Sequence, residues 1–550
     1  MAQVTGAQVV ARALKRQGVD AVFGVVGIPV VGIAVECQRA GIHYYGMRHE
    51  QAAAYAAQAY SYLTGRVGVA LVVSGPGMTN AITALANAQL NCWPMLLLGG
   101  SSNLSLKARG DFQEAGQVLA AASWCKWAQQ ADRVDQVPRF VEAAVRAALY
   151  GRPGPAYLDL PGDVIDASVE DESLPMPPPL APPPRTLADP DAVERALDAL
   201  ASAERPLVIV GKGAAWARAE AEVRAFIEQT GLPFIPAPMA KGMLPDDHPQ
   251  NAIAARSYTL KNADLVLLLG SRLNWIMHFG LPPRFSPGVR VIQADIAAEE
   301  IGSNVPTEVA LVGDLKAVAG QLVSALDVRP WRLGETPWLR TLEDEKARNR
   351  AAVEAMAADD SVPMNYYRVL REINDALPRD GVIVNEGSNA MDIGRVMLDN
   401  YLPRHRLDAG TFGTMGVGPG FAIAAQVAYP DRRVVAIEGD AGFGFDGMEV
   451  EVAARYRMPI TFIVLNNNGI GQGVTDLDPE RPVPPFALLP GARYERVMEA
   501  FGGLGFHAER PDELRDALAR ALAADRPSLI NVVIDPRAQR KPQPFAWLTR

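Results

Sequence analysis

Three doubly wound α/β domains in one chain are the fold the sequence predicts, and three observations predict it. Short apolar runs alternate with amphipathic helical stretches along nearly the whole chain, the pattern of parallel strands joined by crossover helices. A proline-dense stretch at 171–185, DESLPMPPPLAPPPR, can form neither a helix nor a central strand, so it divides the chain as an extended linker. A length of 550 residues also exceeds what one hydrophobic core organises. A weaker boundary falls at 328–363, where a charged connector helix ends before a new start at Val362-Pro363. The domains expected are 1–170, 187–330 and 362–535, followed by a tail at 536–550.

Each domain contributes recognisable strands. In the first, 67–73 reads as a buried strand running into Ser74-Gly75-Pro76-Gly77, a turn that opens a helix through Asn87, and the next strand is 95–98. In the second, 206–210, 265–269 and 289–293 are strands ending in Gly, Ala or Asp. In the third they are 381–384, 433–437 and 460–465. In such sheets ligands bind beyond the carboxyl ends of the strands.

Composition excludes several function classes. Hydrophobic residues make up 49% and charged residues 21%, a globular balance. The net charge of −9 argues against a nucleic-acid partner, which would need clustered Lys and Arg, yet leaves room for a basic pocket taking one small anion. Cys37, Cys92 and Cys125 have no CxxC spacing, so neither a disulfide framework nor a zinc site is indicated and a reducing compartment fits. The N-terminal segment reads as an amphipathic helix rather than a signal peptide, no apolar run reaches the roughly 18–20 residues of a membrane span, and the last residues carry no peroxisomal address. The expectation is a cytoplasmic enzyme with no membrane partner.

The chemistry is concentrated where strands end. The strand at 433–437 runs into Glu438-Gly439-Asp440-Ala441-Gly442, and the strand at 460–465 into Asn466-Asn467-Asn468-Gly469-Ile470. Asp440 offers a carboxylate, Asn467 an amide oxygen and Gly469 a carbonyl, hard oxygen donors suited to Mg²⁺, with a diphosphate and water completing an octahedral shell. The N–H groups of Ala441, Gly442 and the following helix start can meet phosphate oxygens. With Asp440 and Asn467 set 27 residues apart, this segment resembles the Gly-Asp-Gly…Asn-Asn fingerprint of thiamine-diphosphate enzymes, Ala441 standing for the second glycine.

That resemblance implies the three-domain architecture of the pyruvate-oxidase and decarboxylase type: a pyrimidine-binding domain first, a central nucleotide or CoA-binding domain, then a diphosphate-binding domain. It also demands a carboxylate on the aminopyrimidine ring, which drives the cofactor into its reactive imino form. The segment Arg48-His49-Glu50-Gln51-Ala52-Ala53 matches the family's Arg-His-Glu-x-Ala-Ala, making Glu50 the general acid/base, with small residues behind it that admit a flat ring. The loop Gly413-Thr414-Met415-Gly416 resembles the family loop in which a Met supports the bent cofactor, and Ser388 and Asn389 are expected diphosphate contacts alongside Gly439 and Ile470. Since first and third domains each supply half a site, the resemblance implies a homodimer or homotetramer with active sites at subunit interfaces.

Three features select the reaction. No two of His43, His49, His248, His278, His405 and His507 are adjacent, so the paired-histidine device of simple 2-oxo acid decarboxylases is missing. The segment 401–410, YLPRHRLDAG, closely resembles the 2-hydroxyacyl-CoA lyases and the related oxalyl-CoA decarboxylases, and the tail RKPQPFAWLTR resembles the lyases. Phe112-Gln113 sits where the decarboxylases tend to place Tyr-Glu, and a neutral Gln113 can donate to a substrate oxygen without adding charge. The resemblance therefore implies reversible cleavage of a 2-hydroxyacyl-CoA to formyl-CoA and an aldehyde or ketone, with oxalyl-CoA decarboxylation as the alternative and an acetohydroxyacid-synthase-like carboligation further off. Glu495 is the candidate base for the 2-hydroxyl, Ile28 and Phe112 line the substrate pocket, and the tail would act as a lid. Arg152, Lys212 and Asp295 match the family's nucleotide positions, as an ADP-type site, and Arg395 is a candidate partner for a CoA phosphate.

Overall fold

Runs such as Val69–Val72 (VALV) and Leu265–Leu269 (LVLLL) have no polar face, and every residue in them is buried, as strands covered by helices on both sides must be. The computed structural model describes residues 3–171 and 174–541. Among these residues lie three parallel sheets of six, five and six strands and one antiparallel pair. In the first domain the strands run, in spatial order, His43–Gly46, Ala21–Gly24, Val69–Val72, Met95–Ser101, Pro155–Pro161, Trp127–Gln130. In the third the order is Arg406–Asp408, Val382–Asn385, Val434–Gly439, Thr461–Asn466, Ser528–Val533, Leu504–Ala508. Numbered within each domain, both read 2-1-3-4-6-5, so the outer domains share one topology. The central sheet, Phe234–Pro236, Pro206–Val210, Leu265–Leu269, Arg290–Asp295, Val309–Val312, follows the same rule up to its fifth strand. In all three the winding reverses between the first and third strands, which opens a crevice beyond their carboxyl ends.

Local sequence accounts for the boundaries. The helix Gly6–Arg16 starts on a capping box between Thr5 and Gln8. The linker carries no helix or strand from 174 to 189, and it is held on the first domain by Arg16 and Gln17, which donate to the carbonyls of Pro177 and Pro178. The connector is the helix Pro337–Ala357, and it belongs to the central domain by packing: Trp338 and Leu342 are buried there, with the Trp338 indole N–H donating to the Pro206 carbonyl at 3.1 Å. The helix expected to run through Asn87 is broken at Ala81 into Pro76–Asn80 and Ile82–Asn91. Of the tail at 536–550, expected as a lid, residues 542–550 lie outside the described residues. No helix of the described residues is long and apolar enough to cross a membrane.

The two outer domains meet through helices Glu50–Thr64 and Val417–Ala428. Close approach is possible because the facing side chains are small, and a Cβ on Gly420 would sit 2.8 Å from the Ala52 carbonyl oxygen and 3.2 Å from Tyr55 Cβ. Tyr55 meets Phe421 edge-on at 6.0 Å beside that contact. Gly420→Val should therefore wedge the helices apart and lower stability by the ~1–3 kcal/mol typical of overpacking. Gly320→Ala offers the opposite sign, since a Cβ there meets nothing within 4 Å and alanine is preferred in a helix interior by about 1 kcal/mol. Thermal melts of the two variants should move in opposite directions.

Candidate active site

The third domain's switch point is where the sequence expects a metal. Asp440 opens the helix Asp440–Asp446 directly after the strand Val434–Gly439 and is 2% exposed. Its Oδ1 accepts from the Ala441 N–H at 2.8 Å. Its Oδ2 accepts from the Gly469 N–H at 3.1 Å, and Asn467 Oδ1 accepts from the same N–H at 3.1 Å. Two buried oxygens on different loops thus converge on one donor. Burial pushes the Asp440 carboxyl up to about 6 against those N–H bonds, so the site lacks positive charge that a divalent cation would supply. The turn leaves no choice of residue at Gly469, where a Cβ would lie 2.3 Å from the Gln472 carbonyl oxygen. Among the described residues no three His, Cys, Asp or Glu side chains converge as a metal site. One carboxylate, one amide oxygen and a backbone carbonyl are nonetheless a donor set that fits Mg²⁺ completed by a diphosphate.

Around this point the other cofactor candidates assemble. Ser388 and Asn389 start the helix Ser388–Met397 behind Gly387 at φ 102°, and Asn389 Nδ2 donates to the Gly471 carbonyl at 3.2 Å, joining that helix start to the loop carrying Ile470. Gly439 has open space where a Cβ would stand, and Gly442 packs on the Glu386 carboxylate. Gly413 has φ 70° and open space around it, Thr414 Oγ1 bonds Asn87 Oδ1 at 3.0 Å, and Met415 is half-buried.

Glu386 carries a task that no motif in the sequence assigns to it. Its carboxylate accepts from the N–H groups of Gly416 and Gly418, so it pins the start of the helix Val417–Ala428 and with it the Met415 loop. Burial raises it to about 7, and its neighbour Glu438, buried with both oxygens unpartnered, is raised further by burial and by Glu386. The signal was present, an acidic residue ending the strand Val382–Asn385, but its partner lies 30 residues away.

Glu50 is the first residue of the helix Glu50–Thr64, with Ala52, Ala53 and Ala54 fully buried behind it. Its Oε2 accepts from Asn80 Nδ2 at 3.0 Å, and Oε1 faces Gly77. The turn before it is held from the third domain: Glu449 accepts from the N–H groups of Arg48 and His49, each at about 3 Å. Burial pushes Glu449 up to about 8. Gln113 lies on the same sheet edge, its Oε1 3.2 Å from Ser74 Oγ and its backbone at φ 58° against Gly75. Ile28 and Phe112 are 73% and 66% exposed along that edge.

Other candidates are placed differently. Glu495 starts the helix Glu495–Ala500 at 2% exposure, with Oε1 bonded to Arg493 and Oε2 to Asn531 Nδ2 at 3.0 Å. Both oxygens are engaged, so accepting a substrate proton would require Arg493 to let go. Arg395, expected to pair with a CoA phosphate, is ion-paired with Asp392 at 3.0 Å and Asp408 at 3.2 Å. In the central crevice Arg152 pairs with Asp295 at 3.2 Å and Glu300 at 2.9 Å. Lys212 donates to Asn91 Oδ1 at 3.0 Å under the Trp93 ring, and burial lowers its ammonium to about 7. Arg152 and Asp295 thus pair across the boundary between first and central domains, and Lys212 crosses it to Asn91.

Comparison with known proteins places this geometry. Residues 4–120 match the thiamine pyrophosphate enzyme N-terminal TPP binding domain, 193–322 the central domain and 386–532 the C-terminal TPP binding domain. The chain is 50% identical to 2-hydroxyacyl-CoA lyase 1 of Homo sapiens over 100% of its own length and 97% of the relative's. It is 43% identical to 2-hydroxyacyl-CoA lyase of Oryza sativa, covering 98% and 96%, and 42% identical to oxalyl-CoA decarboxylase of Escherichia coli, covering 97% and 95%. Asp440→Asn removes the single carboxylate of the cation site. It should weaken Mg²⁺-dependent retention of thiamine diphosphate by more than the roughly 10–100-fold that losing an outer-shell partner costs, read by calorimetric titration.

Proposed function

The chain belongs to the 2-hydroxyacyl-CoA lyase and oxalyl-CoA decarboxylase family of thiamine-pyrophosphate enzymes, and from that premise we propose that it is a Mg²⁺-dependent carbon–carbon lyase. Its substrate is a 2-hydroxyacyl-CoA, cleaved reversibly to formyl-CoA and an aldehyde or ketone. The observation that carries this reading is the full-length 50% identity to the Homo sapiens lyase, against 42% to the Escherichia coli decarboxylase, combined with Phe112-Gln113 at the edge shared with Glu50.

Each residue's task follows from its chemistry. Bound thiamine diphosphate supplies the carbon nucleophile and the electron sink. Asp440, Asn467 and the Gly469 carbonyl would hold Mg²⁺ against its diphosphate, and the N–H groups of Ala441 and Gly442 would face the phosphate oxygens. Glu50, bonded on one oxygen by Asn80, has the other to exchange a proton with the aminopyrimidine nitrogen. Met415 would support the bent cofactor from a loop that Glu386 immobilises. Gln113, with its carbonyl oxygen toward Ser74, can turn its amide N–H toward the substrate's 2-hydroxyl or thioester oxygen. Glu495 would take the 2-hydroxyl proton once Arg493 swings aside. An adenine nucleotide in the Arg152, Lys212 and Asp295 crevice would have to displace existing ion pairs, which suits a regulatory rather than a catalytic ligand.

The chains would assemble so that these edges meet. Phe412, Phe445, Met448 and Ile470 on the third domain, like Ile28 and Phe112 on the first, are large apolar side chains left in water by one chain. A homodimer or homotetramer facing edge to edge covers them and completes each site. Incubation with a panel of 2-hydroxyacyl-CoAs should release formyl-CoA and the matching carbonyl compound. Carbon dioxide from oxalyl-CoA at a much higher rate would select the decarboxylase instead. Glu50→Gln should abolish turnover while thiamine diphosphate stays bound, and full activity in that variant would remove Glu50 from the mechanism. Glu495→Gln should depress kcat with little change in KM if Glu495 is the base, whereas an unchanged kcat would leave it a structural carboxylate.

A further inference from the structure

Asp159 lies in the interior of the first domain, 1% exposed on the strand Pro155–Pro161. Its Oδ1 accepts from Ser101 Oγ at 2.5 Å and from Gln130 Nε2 at 2.7 Å, and its Oδ2 accepts from Tyr157 Oη and Gln117 Nε2, each at 2.8 Å. Four neutral donors occupy the carboxylate. Ser101, Tyr157 and Gln130 belong to strands of the sheet, so their bonds tie the carboxylate inward. Gln117 leads outward. It starts the helix Gln117–Ala122 at 3% exposure, and its Oε1 accepts from the N–H of Gly75.

The Gln117 amide can face only one way. Its Nε2 also donates to the Gly100 carbonyl at 2.9 Å and to Tyr157 Oη at 2.9 Å, so turning it over would set its oxygen against a carbonyl and a carboxylate. The bond it makes to Gly75 roots a segment that touches both catalytic candidates of this domain. On one side of Gly75, a Cβ on Gly77 would lie 3.4 Å from Glu50 Oε1, and Asn80 Nδ2 donates to Glu50 Oε2 at 3.0 Å. On the other, a Cβ on Gly75 would lie 2.8 Å from the Gln113 carbonyl oxygen, and Ser74 Oγ donates to Gln113 Oε1 at 3.2 Å. Gln113 itself sits at φ 58°, a left-handed conformation that a residue with a Cβ keeps only where its surroundings hold it.

We propose that Gln117, oriented by Asp159, is a positioning residue that holds the turn Ser74–Asn80 and through it sets Gln113 against the substrate and Glu50 against the aminopyrimidine. This rests on the tasks proposed above for Gln113 and Glu50. Removing the Gln117 amide frees the Gly75 N–H and leaves the turn no bond to the Asp159 carboxylate, so the two working groups lose a common reference while the metal site on the third domain is untouched.

The test uses the full chain loaded with Mg²⁺ and thiamine diphosphate. It reads exchange of the cofactor's C2 proton for deuterium, which reports Glu50 without any substrate, together with kcat and KM for a 2-hydroxyacyl-CoA and cofactor affinity by calorimetric titration. Gln117→Met keeps the length of the side chain and removes its polar atoms. It should slow C2 exchange and lower kcat roughly 10- to 100-fold, the scale of an ångström-sized misplacement, while KM and cofactor affinity stay near those of the wild type. On kcat, Gln117→Met should cost less in a Gln113→Ala background than alone, because both act through one turn. Full additivity there, or unchanged C2 exchange in Gln117→Met, would overturn the proposal. Gln130→Met removes a bond from the same carboxylate on the side away from the turn, so it should lower Tm and leave C2 exchange and kcat as they are. Slowing equal to that of Gln117→Met would make the network general packing and would likewise overturn the proposal. Asp159→Asn keeps the volume but offers an N–H that lets the Gln117 amide turn over, and it should slow C2 exchange in the same direction, a reading that stands even where Gln117→Met does not fold. If no 2-hydroxyacyl-CoA is cleaved yet C2 exchange slows in these variants, the substrate reading falls and the positioning role stands.

Discussion

The contact between helices Glu50–Thr64 and Val417–Ala428 sets the spacing on which the site depends. Glu50 is the first residue of one helix, and the Met415 loop leads into the other. Their separation is fixed by backbone nearly touching backbone at Gly420 and Ala52, with Tyr55 and Phe421 packed edge-on alongside. Dispersion falls off within a fraction of an ångström, so a contact made by small side chains and main chain has little slack. That rigidity holds one chain's pyrimidine half-site at a set distance from its own diphosphate half-site, so that a facing chain with the same spacing can complete both.

Against this apolar frame, several buried polar groups near the proposed ligand positions have few partners or none. Asp440 and Asn467 share one N–H between two buried oxygens, and Glu438 has neither oxygen bonded. The carboxyls sit at the third domain's switch point, where burial pushes their pKa values up. A protein-only accounting leaves this region under-compensated. A cation with a diphosphate would balance it.

What was legible in the sequence was what is local. Asp440, Asn467 and Gly469 could be paired because both strand ends are written in apolar runs and the loops follow at once, and parallel neighbours bring such ends to one edge. Glu50 could be found because the alanines that admit a ring follow it directly. Glu386 had a strand end of its own but a partner helix start 30 residues on, which no local pattern specifies. Arg395 could be singled out, but its two carboxylate partners, Asp392 and Asp408, come from a helix turn and a separate strand and were not legible together.

One segment bears on how the two halves of the enzyme are joined. It begins at Asp440, the proposed metal ligand, and runs through Asp446 to Glu449, whose carboxylate holds the N–H groups of Arg48 and His49 immediately before Glu50. Within one chain it therefore links a diphosphate half-site to the turn that presents the pyrimidine carboxylate. In the proposed dimer those two half-sites serve different cofactors, each completed by the facing chain. The segment would then be a short helical strut between one site's Asp440 and the other site's Glu50, buried at its two ends, Asp440 and Glu449. It is ten residues long, and its far end is a buried carboxylate rather than an exposed loop.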